Sequence, residues 1–399
     1  MSRLGFLDAL RGVALVLMVL NHTSRDWMDG GVMGWGRYYL VYGSLLLPAP
    51  IFLFLVGFCL PISYHRRRAA PPLATTAVAY FRRGIVIVGA GYLLNVLVTP
   101  DQPVWNGGVL QTIGVAIILL GPALPLLRGR GGPWSLIGLA LLFYLSFVWS
   151  LPSLTRWANA HPVLSRALFN DFPPWPWLAA AIIGLALGWT WLDARARSGD
   201  DERRFFVRVA AVGGACLVAY LAWEWWIPTT PRFGFPRDFA LNSHWTPRGV
   251  TLLLIAGGVA CLLSSLYWLM ERQRYAFHWL VVLGQTALML YFVHQLIELT
   301  LINKLLGIRF NNWPVYWIAN AIFVVLLVYL GRLWLAVKAS LRRRSGRARA
   351  SAPRSLIAPS GGVAVGKEDA GERLQADVEP AVRRDADMLA FAHEHRGRC

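Results

Sequence analysis

Residues 11–22, "RGVALVLMVLNH", set an arginine and a histidine at the two ends of a run that is otherwise apolar or glycine, apart from Asn21. On an α-helix eleven steps turn the chain about 1100°, about 20° past three full turns, so Arg11 and His22 share a face roughly 16 Å apart along the axis. A bilayer's hydrocarbon core is about 30 Å thick, so the two groups sit at different depths of one span. Asp8 joins the same stripe, one turn before Arg11. Ionisable groups inside a span face the bundle interior or a water-filled cavity, where they line pathways and sites. Asp8 and Arg11 also fit a purely structural ion pair, and at this level both readings stand.

The rest of the chain agrees with a membrane setting. Its 399 residues are 56% hydrophobic and 15% charged, with a mean hydropathy of +0.47, whereas soluble domains carry about 25% charged residues. The net charge of +18 raises the question of nucleic acid. The arginines cluster in short runs beside apolar segments, as topology signals do, so no nucleic-acid partner is expected. Cys59, Cys216, Cys261 and Cys399 show no ligand-like spacing, which argues against both a disulfide framework and a metal site. The opening "MSRLGFLDALRG" lacks a small-residue cleavage site and reads as a retained first helix, not a signal peptide.

Ten segments are long and apolar enough to cross a bilayer or nearly so: 4–22, 40–64, 78–98, 107–127, 134–151, 175–193, 205–227, 247–270, 279–301 and 313–337. Pro48 and Pro50 break the second, which predicts a helix proper starting at "PAPIFLFLVGF" after a bent lead-in, Leu40–Leu47. A Pro- and Trp-rich stretch, "LPSLTRWANAHPVLSRALFNDFPPWPW", reads as a loop between the fifth and sixth segments. With the N-terminus inside, the four inner connections hold fourteen arginines, against nine Lys and Arg in five longer outer loops. The expected fold is therefore an all-α polytopic membrane protein of about ten transmembrane helices, with both termini cytoplasmic. Residues 1–338 form its membrane domain. Residues 339–399, basic and then Pro/Gly-rich and mixed in charge, are expected to form a disordered cytoplasmic tail whose basic run reads first as a topology anchor, with binding to anionic lipid as the other use.

Orientation then assigns depth to the other polar groups. Tyr291, His294 and Glu298 recur at i, i+3, i+7 on one face of the ninth segment, toward its outer end. Gln111 lies in the outer part of the fourth segment and Glu224 near the outer end of the seventh. His22, His294, Gln111 and Glu224 thus come from four spans at comparable depth, a convergence that points to a site. A lone histidine in a span also serves as a helix–helix hydrogen-bond partner, and Glu224 fits an interfacial, solvated carboxylate. The nineteen tryptophans read mainly as an interfacial belt, with sugar stacking as the other use.

Two stretches, "FLDALRGVALVLMVLNHTSRDW" and "PAPIFLFLVGFCLPISYHRRR", resemble the N-terminal core of the heparan-alpha-glucosaminide N-acetyltransferase-like proteins of the transmembrane acyltransferase superfamily. The Arg-x10-His spacing also resembles the signature of the integral-membrane acyltransferases that O-acetylate surface polysaccharides. "GVLQTIGVAIIL", "FPPWPWLAAAIIGLALG" and "LGQTALMLYFVHQLI" follow in the family's order, so the resemblance spans roughly residues 3–335 in pieces. In the animal lysosomal member the histidine taken as catalytic lies in the loop after the first span. Here that loop has none, so the carry-over falls on His22, as general base or transient acyl carrier, with Arg11 as the signature arginine and Asp8 orienting it.

The resemblance implies a donor, acetyl-CoA or a longer acyl-CoA, used as substrate with no bound cofactor. It implies a sugar or glycan acceptor taking the acyl group on a hydroxyl or amine at the outer face, and a bacterial cytoplasmic membrane as the location. Acyl transfer needs a base for the acceptor and a donor for the oxyanion. Imidazole, with an unperturbed pKa near 6.5, suits the first. Gln111, Tyr291 and His294 are candidates for the second. Arg11, Arg82 and Arg83 are the expected acyl-CoA-binding residues. No nucleophile elbow or phosphate loop is present in the sequence, which argues against a hydrolase triad or an NTPase. Two other readings compete. A transporter or flippase for a small metabolite or lipid-linked sugar would show internal repeats and broken helices. A sensor or scaffold would need a soluble output domain.

Overall fold

A run of apolar residues without water must satisfy its backbone internally, so such segments fold as helices. The computed structural model describes residues 4–28, 46–67, 73–127, 132–170, 172–226 and 249–350. In chain order these form α1 (Gly5–Asp26), α2 (Pro48–Arg67), α3 (Leu73–Val98), α4 (Val109–Leu127), α5 (Gly132–Ala160) and α6 (Pro162–Phe169). They continue as α7 (Pro174–Arg197), α8 (Gly199–Trp226), α9 (Gly249–Tyr267), α10 (His278–Gln285), α11 (Ala287–Gln295) and α12 (Trp313–Ala350). Two π-helical stretches extend α9 (Trp268–Arg272) and α11 (Leu296–Leu305). Among the described residues the regular structure is otherwise helical, apart from an isolated bridge between Met28 and Phe310. The protein is an all-α polytopic membrane protein. Among the described residues eight helices are long and apolar enough to span, nine if the bent pair α10–α11 is one crossing. The ten expected crossings correspond to these nine and the shorter apolar helix Val109–Leu124.

The chain divides into two units, Met1–Arg343 and Arg344–Cys399. Of the second, only the end of α12 is described. The expected domain boundary at 338/339 falls within α12, and most of the expected tail, 351–399, lies outside the described residues, as does most of the lead-in Leu40–Leu47.

Small residues decide which helices meet. A Cβ on Gly12 would overlap the Leu280 carbonyl, and one on Gly284 the Asp8 carbonyl, so α1 and α10 approach at backbone distance only because both positions are glycine. Gly57 and Gly184 bring α2 and α7 together in the same way. α1, α2 and α7 are mostly buried, while α3, α5, α8 and α12 turn most of their apolar surface outward, as lipid-facing helices do. α1 belongs to two packed clusters. Its first half packs Phe6 edge-on against Trp191, Phe206 and Tyr267. Its second half, Leu15 to Trp27, packs with Leu94, Leu283, Leu290 and Phe323.

Two elements differ from the sequence expectation. The stretch between the fifth and sixth segments is largely helical: α5 continues through Pro152 to Ala160, and Pro162 opens α6, where a missing N–H costs nothing. The ninth segment is not one straight span. α10 and α11 meet at 82°. Thr286, non-helical at φ −112°, ψ 9°, donates its hydroxyl to the Val282 carbonyl at 2.7 Å, the back-bonding that bends helices.

Candidate active site

α1 is a single uninterrupted helix, so its periodicity carries directly into three dimensions. At its Asp8 end, Arg11 Nη1 donates to Asp8 Oδ1 at 2.6 Å, and Nη2 donates to Cys59 Sγ on α2 at 2.9 Å. Gln285 Nε2, at the end of α10, donates to the other Asp8 oxygen at 3.5 Å. The guanidinium is thereby fixed between two helices. It lines a cavity of about 720 Å³ together with Arg82 and Arg83 of α3 and a mainly apolar wall that includes Phe52, Leu110 and Tyr291.

His22, eleven residues further along α1, lines a second cavity of about 260 Å³. Its polar lining is rich in amides, among them Asn95, Asn106, Gln111 and Gln295, with Arg25 and Glu298. Much of this set is tied to backbone. Asn95 Nδ2 donates to the carbonyls of Val104 and Asn106 at 2.9 and 2.8 Å, and Gln111 Nε2 donates to that of Asn106 at 3.3 Å. Gly91 makes room for Gln111, since a Cβ there would stand 2.6 Å from its amide carbon. The loop below is pinned at its rim, where Lys304 Nζ meets Asp101 Oδ1 at 2.9 Å and holds that exposed carboxyl below the usual carboxylate range. Phe52, Leu110 and Tyr291 line both cavities and so form the wall between them.

Around His22 the packing is close. Its ring lies 5.3 Å, centroid to centroid, from that of His294, which Tyr291 meets edge-on at 5.6 Å. His22 Nδ1 stands 3.5 Å from Glu298 Oε1. His294 Nδ1 is 2.9 Å from the Leu290 carbonyl, which can only accept, so the proton of the neutral ring sits on Nδ1. His294 Nε2 and both Glu298 oxygens are buried without a hydrogen-bond partner. Trp27 Nε1 donates to the Glu298 carbonyl at 3.1 Å. Thr23 donates to Asn320 Oδ1 at 2.7 Å, and Tyr316 donates to the Leu20 carbonyl at 3.2 Å, which clamps the last turn of α1 to α12.

The residues expected from sequence therefore fall into two groups. Arg11, Arg82 and Arg83 line the larger cavity, with Asp8 behind Arg11, while His22 and Gln111 line the smaller, with His294 behind His22, and Tyr291 lines both. Glu224 is on α8, and its side chain lies outside the described residues. Sequence reasoning missed Cys59, Gln285, Asn95, Asn106 and the Thr23–Tyr316–Asn320 clamp. For Asn320 and Gln285 a signal existed, since an amide within an apolar segment needs a partner. It also placed Glu298 on the His294 face without pairing it with His22. Among the described residues no group of His, Cys, Asp and Glu could hold a metal ion.

Fold and site together define a polytopic helical membrane protein whose buried ionisable groups meet two adjoining cavities at different depths. Residues 3–224, more than half of the chain, match the family model described as heparan-alpha-glucosaminide N-acetyltransferase, catalytic. The chain belongs to that family and is a membrane acetyltransferase. No individual curated protein matches it. The matched region contains Asp8, Arg11, His22, Arg82, Arg83 and Gln111 but ends before Tyr291, His294 and Glu298.

Proposed function

We propose that the protein carries an acyl group, acetyl by its family, from acyl-CoA on the cytoplasmic side to a hydroxyl or amine of a sugar or glycan at the outer face. Its seat is a bacterial cytoplasmic membrane, with both termini inside. The observation that carries this reading is the pair of cavities sharing one wall, three arginines around the first and the α1 histidine in the second. Arg82, Arg83 and Arg11 give the anionic donor a cationic entry, and the roughly 16 Å from Arg11 to His22 is comparable to an extended pantetheine arm. His22 takes the proton of the acceptor O–H or N–H as that atom attacks the thioester carbonyl. The tetrahedral intermediate expels the CoA thiolate, which receives the proton from His22. Gln111 and Tyr291, which line the same cavity as His22, are the candidate donors to the developing oxyanion. Binding acceptor and thioester in adjoining cavities converts a two-body encounter into a positioned one.

The test is label transfer in membranes expressing the full chain, supplied with [acetyl-¹⁴C]-CoA on the cytoplasmic face. Label should enter glycan or lipid-linked sugar in wild type and vanish in His22→Ala at equal protein level. The 82° break between α10 and α11 is the one observation that favours a transporter or flippase. If wild type transfers no label while His22→Ala alters uptake or export, that reading replaces this one.

A further inference from the structure

We infer that Glu298 is the positioning residue of His22, so that the base of the proposed transfer is assembled from α1 and from a π-helical stretch outside the family-matched region. This deepens the acyl-transfer reading and rests on it. Three observations carry it. First, Glu298 is only 1% exposed, neither of its oxygens has a hydrogen-bond partner, and its ion-pair neighbour is His22 Nδ1 at 3.5 Å. A carboxylate without hydrogen bonds is expensive to bury, and buried polar groups left so call for a functional explanation. Hydrogen bonds around a catalytic base are often long before substrate binds and tighten in the complex.

Second, the separation is set by the main chain. Trp27 Nε1 holds the Glu298 carbonyl at 3.1 Å, and the Phe310 N–H donates to the Trp27 carbonyl at 2.6 Å, so the π stretch at Glu298 and the chain after it are both tied to Trp27 at the end of α1. π-helical insertions recur where a side chain must be re-aimed at a site.

Third, His294, one turn before Glu298, packs against the His22 ring, and its buried Nε2 can accept but not donate. Among the described residues, the charged or titratable groups facing Glu298 are His22, Arg25 and Asp26 of α1, with His294 and Tyr291 on the segment leading to it.

With Nδ1–H directed at Glu298, Nε2 is the nitrogen that takes the acceptor's proton and later returns it to the departing CoA sulfur. Nδ1–H never leaves the ring. The carboxylate holds the tautomer and neutralises the imidazolium formed in between, the logic of a carboxylate-oriented histidine.

The experiment compares wild type, Glu298→Gln, Glu298→Asp and His22→Ala as full chains in membranes, with [acetyl-¹⁴C]-CoA and the endogenous acceptor pool. The maximal transfer rate and the KM for acetyl-CoA are measured at matched amounts of folded protein. Glu298→Gln should lower the maximal rate about 100-fold or more with KM within about threefold, and Glu298→Asp should restore part of it. A Glu298→Gln rate within about threefold of wild type, beside an inactive His22→Ala, overturns the inference and leaves the acyl-transfer reading standing. So does a raised KM at unchanged maximal rate, which would put Glu298 on the ligand and not on the histidine. If Glu298→Gln does not reach the membrane, Glu298→Asp decides. It keeps the charge but draws the carboxylate back by about 1.5 Å. A fall of about tenfold or more at constant KM supports the inference, and a wild-type rate refutes it. Absence of transfer by wild type overturns both readings.

Discussion

At the scale of single residues the question is whether Arg11 serves the fold, the donor, or both. Its two hydrogen bonds, to Asp8 and Cys59, are what a structural pair would show, and its place on the larger cavity wall is what a donor contact would need. A double replacement separates them. Arg11→Ala strands the buried Asp8 carboxylate, and breaking a buried pair from one side costs about 3 kcal/mol, the low end because the Arg11 side chain is 30% exposed. Asp8→Asn combined with Arg11→Gln removes both charges and restores neutrality. Thermal unfolding in detergent should therefore show Arg11→Ala strongly destabilised and the double variant close to wild type. Under the proposed function the double variant stays impaired, with KM for acetyl-CoA raised about tenfold or more, the loss of one charged hydrogen bond. A double variant with wild-type KM and rate would make Arg11 purely structural.

At the scale of helices, contact between α1 and α10 depends on two glycines that a sequence shows only as helix-weakening residues. A methyl on Gly284 would enter the Asp8 carbonyl and crowd Arg11 Cβ at 3.1 Å, so the two helices must separate. Gly89 on α3 faces open space, and a Cβ there meets nothing within 4 Å. Gly284→Ala is expected to destabilise by about 3 kcal/mol, the upper range for overpacking. Gly89→Ala should be neutral or stabilise by up to about 1 kcal/mol through helix propensity. Paired melting curves check both, and equal shifts would mean that the backbone contact is not what holds α1. The contrast also shows what sequence could reveal. The helical period alone aligns Asp8, Arg11 and His22, and Tyr291, His294 and Glu298, because each set lies on one continuous stretch of helix. The meeting of His22 with Glu298 depends on how α1 seats against α10 and α11 across more than 270 residues, and no local pattern encodes it. The bend at Thr286 was equally hidden, since one hydroxyl bonding backward looks in sequence like any threonine in an apolar run.

At the scale of the whole molecule, the two-cavity arrangement makes the wall of Phe52, Leu110 and Tyr291 the element that a two-sided transfer must control. These residues come from α2, α4 and α11, so the wall exists only in the assembled bundle, which is why the arginines and the histidine were legible beforehand and their separation was not. A wall of this kind has a chemical duty as well as a steric one. Under the proposed function the thioester must pass or reach across it to the acceptor while water must not, because an activated imidazole beside a wet thioester would catalyse hydrolysis instead of transfer. Phe52 is its largest apolar side chain, and Phe52→Ala removes most of that volume without touching a polar group. The proposed function predicts a variant that still folds and consumes acetyl-CoA but couples poorly. Free CoA release, followed by thiol titration, should rise about tenfold relative to label delivered to glycan, the share of the barrier that a water-excluding contact of this size can hold. Phe52→Leu, which keeps the site dry and apolar, should stay near wild type. If Phe52→Ala lowers release and transfer in the same proportion, the residue shapes the donor cavity alone. Water would then be excluded by the acceptor itself as it fills the amide-lined cavity around His22.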